Sequence, residues 1–469
     1  MRLGRPRLAG LLRSTDTSTD QQEPVHGPAL PDDSTVHLVL DLALRIGEVQ
    51  MSSGAGAADV TATILGVTAA CGLPHTEVDV IYTSITVCCH RGTDAAPVTA
   101  LRVVRSRGLD YTRLAAVEHL IRRITGGRIT ARDAYAELDR ITTAPHPYPR
   151  WVATLAWAGM AAAVAYLVGG GTLLALSAAG VTAVIDRVGR VLNRRNLPFF
   201  FQQVVGGALA TASALVLYAT DLLPDVRPSM LVAAGIVVLL SGLSLVSTVQ
   251  DAITGYNVTA AGRTMEIVLL TAGLVAGIAL ALRAGVQFGV QTSIAGPLPT
   301  LITDVPMQFA AGAATSFCFA LASYAQPRAL LVAAIAGAVG TTSYGLLAVT
   351  GVNLITSSAV AATLVGFGGA VLSRRLRIPT LVVAVSGMTP LLPGWTTYRG
   401  LYQLTAENDP AAGLPTLVLA TGIALALAGG VVLGEYLARP VRTGLGRLER
   451  RFAGPRLSGP LWPTRRRLE

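Results

Sequence analysis

From Trp151 to Leu437 the chain is a series of apolar segments of about 18–24 residues, separated by short intervals. A transmembrane α-helix needs about 20 mostly apolar residues, so each segment is long enough to cross a bilayer. Lipid satisfies no backbone polar group, and such segments therefore fold as helices. The sequence predicts about ten of them, with approximate limits 151–168, 171–190, 199–219, 229–248, 264–283, 305–323, 328–349, 353–372, 379–398 and 414–437.

The charged residues support this prediction and exclude several functions. They make up 14% of the chain, whereas soluble domains usually carry about 25%. All 37 basic residues are arginine, so the chain lacks the lysine of a phosphate-binding loop and of Schiff-base chemistry. No basic face with interleaved aromatic residues is present, and we expect no nucleic-acid partner. The four cysteines have no metal-ligand spacing, so we expect no metal and no cofactor.

Composition divides the chain into five parts. Residues 1–33 form a basic, polar stretch that we expect to be disordered. Residues 34–148 predict a cytoplasmic α/β domain with two helices (Val36–Met51, Asp59–Ala70), a hairpin of two strands (Val78–Cys88, Val98–Val104) and two further helices (Tyr111–Ile124, Thr130–Ile141). Residues 149–285 and 286–440 are predicted as two five-helix membrane halves, and 441–469 as a basic cytoplasmic tail.

Two features describe the arrangement of the membrane halves. An odd number of helices in each half would make a true repeat an inverted one, as in many secondary transporters, but the internal sequence similarity leaves the repeat open. The fourth and ninth segments contain Gly, Ser and Pro, which favours broken or kinked helices there.

Arginines alternate from loop to loop and predict the orientation. If residues 34–148 lie inside, the inner loops carry Arg187, Arg190, Arg194, Arg195, Arg263, Arg328, Arg374, Arg375, Arg377, Arg439 and Arg442. The opposite loops carry Asp221, Asp225, Asp304, Glu407 and Asp409. By the positive-inside rule both termini are expected in the cytoplasm of a multi-pass cell-membrane protein.

Ionisable residues next to membrane segments are candidate functional groups, because burying them is costly. The sharpest group is Asp251, Arg263 and Glu266, with Gln250 beside it, around the end of the fourth segment and the start of the fifth. Arg263 and Glu266 are three residues apart, so they share a helix face and can pair. Either this group carries protons or substrate, or it is an ion pair at the membrane interface.

Two weaker candidates lie elsewhere in the membrane segments. Gln202 and Gln203 could bind a zwitterion, or they could hold helices together. Pro393 and Gly394 could unwind a helix and expose its carbonyl groups to a substrate, or they could only kink it. The N-terminal part has no recognisable hydrolytic motif, so we predict that the chain is not an enzyme.

Four short motifs follow one another along the chain: Ser53–Ala55, Pro147–Trp151, the series Asp251, Gly255, Arg263 and Glu266, and Pro390–Gly394 with Tyr398. In this order and spacing they resemble the threonine/serine exporter family, including its two-gene form, which is implicated in succinate export. The resemblance runs from about residue 36 to residue 437. The chain departs from the family pattern in two places. Gly56 and Thr61, with Asp59 nearby, stand where relatives often have acids, and Ser241-Gly242 stands for a Pro-Gly pair.

The resemblance implies a cytoplasmic N-terminal domain, about ten membrane helices and proton-driven export of threonine, serine or a related small solute. It also raises the importance of Asp251, Arg263, Glu266, Pro393 and Gly394. Two alternatives stay open: export of a dicarboxylate such as succinate, and a membrane-anchored sensor or enzyme that acts through the N-terminal domain. The expected partners are the substrate, protons and the lipid bilayer, and the sequence leaves a homo-oligomer open.

Overall fold

The computed structural model describes residues 32–91, 96–105, 108–220, 228–236, 239, 242–288, 305–376, 378–405, 407 and 409–452. Most of the predicted N-terminal tail, 1–33, and the end of the predicted C-terminal tail, 441–469, therefore lie outside the described residues. The part of the C-terminal tail up to Phe452 continues the last helix.

The N-terminal region packs four helices on a small sheet. This region corresponds to the predicted domain 34–148 and is called the soluble domain below. Its elements are α1 (Asp33–Ser52), α2 (Ala57–Ala70), β1 (Thr76–Ile81), β2 (Ser84–Cys89), β3 (Val98–Val103), α3 (Tyr111–Thr125) and α4 (Ala131–Thr143). The strands are antiparallel in the order β1-β2-β3. Side-chain caps start the last two helices: Asp110 accepts from Arg113 N–H, and Thr130 accepts from Asp133 N–H. Apolar residues of all seven elements form one buried cluster.

The first strand of the predicted hairpin is two strands. Val78–Cys88 was expected to be continuous, but Tyr82 and Thr83 form a two-residue turn between β1 and β2. Tyr82 has a φ of 53°, which few non-glycine residues adopt. Neither turn residue is glycine, proline, asparagine or aspartate, so the sequence carries no turn signal here, although the inward positions change from even numbers in β1 to odd numbers in β2. The β2–β3 hairpin is present as predicted.

The part of the chain predicted as the first membrane half contains α5 (Arg150–Leu167), α6 (Thr172–Arg194), α7 (Phe199–Ala219), α8 (Pro228–Ile236), α9 (Gly242–Ile253) and α10 (Asn257–Gln287). The second contains α11 (Val305–Ala322), α12 (Pro327–Val349), α13 (Leu354–Leu376), α14 (Thr380–Met388), the 3-10 turn Thr389–Leu391, α15 (Gly394–Thr405) and α16 (Pro410–Phe452). Among the described residues, α5, α6, α7, α10, α11, α12, α13 and α16 are long and apolar enough to cross a membrane.

The fourth and ninth predicted segments are both interrupted, as their composition predicted. The fourth is divided into α8 and α9, and the ninth into α14, the 3-10 turn and α15. Leu239, in the first interruption, and Trp395, just after the second, pack against the same apolar cluster of the first half. The two interruptions therefore meet the same part of the core.

The third and last α-helices of each half approach closely in the same way. In the first half, a Cβ on Gly277 of α10 would lie 2.0 Å from the Val204 carbonyl oxygen of α7. In the second, a Cβ on Gly434 of α16 would lie 2.3 Å from the Thr363 carbonyl oxygen of α13. Glycine at such crossings lets membrane helices pack backbone against backbone.

Candidate functional site

A buried ion pair joins the end of α9 to the start of α10. Arg263 Nη1 lies 2.6 Å from Asp251 Oδ2, and the Asp251 and Arg263 side chains are 0% and 4% exposed. The chain reverses direction between the two helices at Gly255, whose φ of 93° favours glycine. Tyr256 N–H donates to the Asp251 carbonyl at 2.8 Å and closes the turn. The reversal brings Arg263, on the second turn of α10, back beside Asp251.

The second oxygen of Asp251 is bound by the N-terminal region. Ala57 N–H, at the first residue of α2, donates to Asp251 Oδ1 at 2.7 Å. The N-terminus of a helix carries a partial positive charge, so it stabilises a carboxylate there. Gly56 leaves room for this contact, since a Cβ at that position would lie 3.3 Å from Asp251 Oδ1. A membrane helix and a soluble helix thus share one buried carboxylate.

The turn of the β1–β2 hairpin lies on the first turns of α10. Tyr82 N–H donates to Thr259 Oγ1 at 3.0 Å, and that hydroxyl donates to the Val80 carbonyl at 2.9 Å. The Tyr82 hydroxyl donates to Glu266 Oε2 at 3.3 Å. Gly262 accommodates the ring, because a Cβ there would lie 2.9 Å from it. Glu266 is therefore held by the soluble domain, one helical turn after Arg263.

Of the departures from the family pattern, the one in the N-terminal motif, at Gly56 and Thr61, lies at this contact. Gly56 packs against Asp251, as described above, and the hydroxyls of Thr61 and Tyr256 are 2.8 Å apart. Asp59, between Gly56 and Thr61 on α2, lines a neighbouring cavity. The N-terminal motif thus belongs to the same site as the membrane residues.

A cavity of about 560 Å³ lies between the soluble domain and the membrane helices. Its soluble wall comes from α1, α2 and α3 and includes Gln50, Asp59, Glu118 and Arg122. Its membrane wall includes Ser247 and Gln250 of α9, Ala370 of α13, Thr380, Leu381, Ala384, Val385 and Met388 of α14, and Val431 and Glu435 of α16. Parts of both interrupted segments therefore line it.

Two carboxyl groups in the cavity hold protons more readily than usual. Burial, and after it the charge of Asp251, raises the pKa of Asp59. Burial also raises the pKa of Glu118 to about 7; Arg122 opposes this rise and Asp59 adds to it. The Asp59 side chain lines the cavity, where protein surrounds it on several sides and water can still reach it. Glu118 can therefore exchange protons near neutral pH.

A second contact joins the soluble domain to the turn between α11 and α12. Tyr111 N–H donates to the Ser323 carbonyl at 3.0 Å, and the Thr112 hydroxyl donates to the Tyr324 carbonyl at 2.5 Å. The His146 ring stacks on the Tyr324 ring with centroids 4.4 Å apart, and His146 Nδ1 lies 2.8 Å from Asp110 Oδ2. Here the membrane half contributes backbone carbonyls and an aromatic ring.

The chain matches two family models that together cover most of its length. Residues 41–285 match "Putative threonine/serine exporter", and residues 308–437 match "Threonine/Serine exporter, ThrE". The chain belongs to the threonine/serine exporter family. A Mycobacterium tuberculosis protein named "Probable threonine/serine exporter" is 42% identical over 92% of this chain and 81% of its own length. The "Threonine/serine exporter" of Corynebacterium glutamicum is 37% identical over 93% of this chain and 90% of its own length. No solved structure matches.

Membership of this exporter family confirms the predicted family, and with it the prediction of a transporter and not an enzyme. The structure brings Asp251, Arg263 and Glu266 together at the surface that the soluble domain covers. The sequence suggested that Arg263 could pair with Glu266 on the same helix face. The structure shows an ion pair between Arg263 and Asp251, across the turn.

The other predicted site residues of this exporter-family chain lie elsewhere. Gln203 of α7 is buried, and its Nε2 donates to the Leu239 carbonyl at 3.2 Å, within the first interruption. Gln202 Nε2 donates to the Leu197 carbonyl at 2.8 Å. Pro393 directly precedes Gly394, at which α15 begins after the second interruption. Gln203 thus contacts the first interruption and Pro393 lies in the second, while Gln202 contacts the loop before α7.

Sequence reasoning missed Glu118, Arg122 and Gln50 as site residues. Glu118 and Arg122 are four residues apart on an amphipathic helix, a pattern typical of a solvated surface. Gln50 is a polar residue among the buried residues of α1. Such a residue on an apolar face is a signal that could have indicated it.

Proposed function

We propose that this chain exports a small amino acid, with threonine and serine as the first candidates, across the cell membrane by alternating access. The Asp251–Arg263 pair, buried where an interrupted membrane segment meets the soluble domain, carries the proposal. The names of the relatives from Mycobacterium tuberculosis and Corynebacterium glutamicum support this substrate class.

A buried ion pair is an expensive way to hold two helices together. Its desolvation cost often exceeds the attraction between the charges, so apolar side chains would do as well or better. Ionisable groups next to membrane segments usually serve transport. The pair in this chain therefore favours a functional role over the alternative of a simple interfacial ion pair.

The cavity supports a transport path that begins beside this pair. Secondary transporters commonly bind substrate where discontinuous helices meet. Both interrupted segments contribute to the cavity here, through Gln250 and Met388, and it lies between the soluble and membrane parts. We infer that substrate enters from the side of the soluble domain and passes between the interrupted segments.

The charge pattern supports the orientation. The soluble domain contacts the turn between α9 and α10, the turn between α11 and α12, and the start of α14, so these lie on its side of the molecule. The arginine-rich loops of the sequence fall on this side by the alternation of spans. Under the positive-inside rule this is the cytoplasmic side, with both termini there and five membrane segments in each half.

We propose that protons drive the export through Asp251. A proton on Asp251 would remove the charge that holds Arg263. The released guanidinium could then bind the carboxylate of an amino acid through paired hydrogen bonds. Glu266, held by Tyr82, is the second candidate for proton exchange.

Two alternatives are less well supported. A dicarboxylate substrate would meet Asp59, Glu118 and Glu435 in the cavity, and repulsion between like charges disfavours it. A sensor acting through an independent soluble domain would need a separable domain. Instead Tyr111 and Leu114 of α3 share a buried cluster with residues of α11, α12 and α14.

Efflux from proteoliposomes tests the proposal. Vesicles loaded with labelled threonine, serine or succinate are assayed with and without an imposed pH gradient. We expect efflux of threonine or serine that the gradient accelerates. Efflux of succinate alone would support the dicarboxylate alternative, and no efflux from folded protein would contradict export of all three.

A further inference from the structure

We propose that the cavity is the cytoplasmic entry site of the exporter, and that Asp59 and Glu118 bind the ammonium group of the incoming amino acid. This inference rests on the proposed function and names the residues that first select the substrate. The volume of the cavity, about 560 Å³, falls within the range of about 300–1,000 Å³ usual for small-molecule sites.

The two carboxyl groups suit a cation. Asp59 projects from α2 and Glu118 from α3, and they are close enough for the charge of Asp59 to act on Glu118. Two neighbouring carboxylates repel each other, so a bound ammonium group would relieve that repulsion and donate charge-assisted hydrogen bonds to both of them. Arg122, 50% exposed on α3, lies near enough to Glu118 to meet the carboxylate end of the same molecule.

An unsatisfied polar group supports a ligand independently of the charges. Gln50 of α1 is only 7% exposed and lines this cavity. Its Oε1 has no hydrogen-bond partner among the described residues. A buried acceptor without a partner costs free energy, and such groups usually await a water or a ligand. The ammonium or hydroxyl group of a small amino acid would supply the missing donor.

The charged groups around Glu118 determine how pH affects the site. Asp59 faces it from α2 and Arg122 from its own helix, while Glu435 of α16 lines the same cavity. Asp251 of α9 acts on Asp59. The described lining residues of α13 and α14 are uncharged, and α1 contributes the neutral Gln50.

Protons and substrate therefore compete for the same carboxyl groups. Ammonium binding needs the ionised form, whereas burial raises the pKa of Glu118 to about 7. With that pKa, about nine tenths of Glu118 is ionised at pH 8 and about one tenth at pH 6, so affinity falls by roughly tenfold between them. Binding of an amino acid would in turn release a proton, which is the linkage that an exchanger needs.

The test measures binding of labelled L-threonine to the full chain in lipid nanodiscs at pH 6 and pH 8. We expect Glu118→Gln to bind roughly tenfold to a hundredfold more weakly at pH 8, with the difference between the two pH values removed. Asp59→Asn should weaken binding in the same direction. Glu77→Gln and Asp79→Asn make the same changes at exposed positions of β1 outside the cavity and serve as matched controls.

A second measurement needs no variant, so it holds even where a substitution prevents folding. We expect 3-hydroxybutyrate, which is threonine without its amino group, to bind the wild-type chain at least about tenfold more weakly at pH 8. Its binding should not improve from pH 6 to pH 8. Equal binding of the two compounds at both pH values would overturn the entry site.

The outcomes separate this inference from the proposed function. If the wild-type chain binds and exports threonine but Glu118→Gln and Asp59→Asn behave like their controls, the entry site is wrong and export stands. If the wild-type chain neither binds nor exports threonine or serine, both proposals fail.

Discussion

The soluble domain is attached to the membrane helices at two places with different chemistry. At the charged junction, Ala57 and Arg263 bind the carboxylate of Asp251, which has no exposure to solvent. At the aromatic junction, formed by Tyr111, Thr112, His146 and Tyr324, the contacts to the membrane half are backbone carbonyls and a stacked ring.

This difference indicates a division of labour. Hydrogen bonds and ring stacking hold two surfaces together without burying a net charge, and they suit a permanent attachment. A buried ion pair is a poor choice for attachment alone, but a proton or a charged substrate can switch it. We therefore assign transport to the charged junction and anchoring to the aromatic junction.

The largest expected effect comes from breaking the charged junction on one side. Asp251→Asn leaves Arg263 buried without its counter-charge and should lower the free energy of unfolding by about 3–5 kcal/mol. Reversible unfolding in mixed micelles measures this loss. Asp186→Asn removes one partner of a pair within α6 whose side chains, 31% and 20% exposed, can reach water, and as a control it should cost less, about 1 kcal/mol.

The double variant Asp251→Asn/Arg263→Gln sharpens the same comparison. A neutral pair of similar size leaves no buried charge, so most of the lost stability should return. If the double variant were as unstable as Asp251→Asn, the burial of an unpaired arginine would not be the cause of the loss.

A smaller effect is expected where the hairpin turn lies on α10. Gly262→Ala places a Cβ about 2.9 Å from the Tyr82 ring, and overpacking of this kind typically costs about 1–3 kcal/mol. Hydrogen exchange at the Tyr82 amide should therefore become faster. Gly180→Ala on α6 meets no atom within 4 Å and should leave that exchange rate unchanged, so equal rates in the two variants would contradict the contact.

The smallest effect is expected at the aromatic junction. His146→Ala removes the stacking on Tyr324, which is worth about 0.5–1.5 kcal/mol, together with the contact between His146 and Asp110, and leaves the charged junction intact. Threonine efflux from proteoliposomes should stay within about twofold of wild type. A loss of efflux as large as that of Asp251→Asn would end the distinction between the two junctions.

Local patterns predicted much of this architecture. Apolar length predicted the eight described helices that are long enough to cross a membrane, and the Gly, Ser and Pro residues of the fourth and ninth segments predicted their interruptions. Helix periodicity predicted α1 to α4 to within a few residues. The turn at Tyr82 was not predicted because Tyr82 and Thr83 are residue types that favour strands and are not typical of turns.

The candidate site was only partly predictable, since its contacts join distant parts of the chain. Asp251 and Arg263 lie 12 residues apart, and their proximity in sequence was visible. Ala57 contacts Asp251 across 194 residues through a backbone N–H, which no side-chain motif reveals. Glu118 has an ordinary place on an amphipathic helix, and only the packing of α3 against the membrane helices encloses it.

Counterflow of labelled L-threonine in proteoliposomes, with wild-type chain and Asp251→Asn/Arg263→Gln compared side by side, tests the central claim most directly. We predict rapid counterflow with the wild-type chain and only background exchange with the folded double variant, because the switchable charge pair is gone. Counterflow by the double variant at the wild-type rate would contradict the account and reduce the buried pair to an attachment.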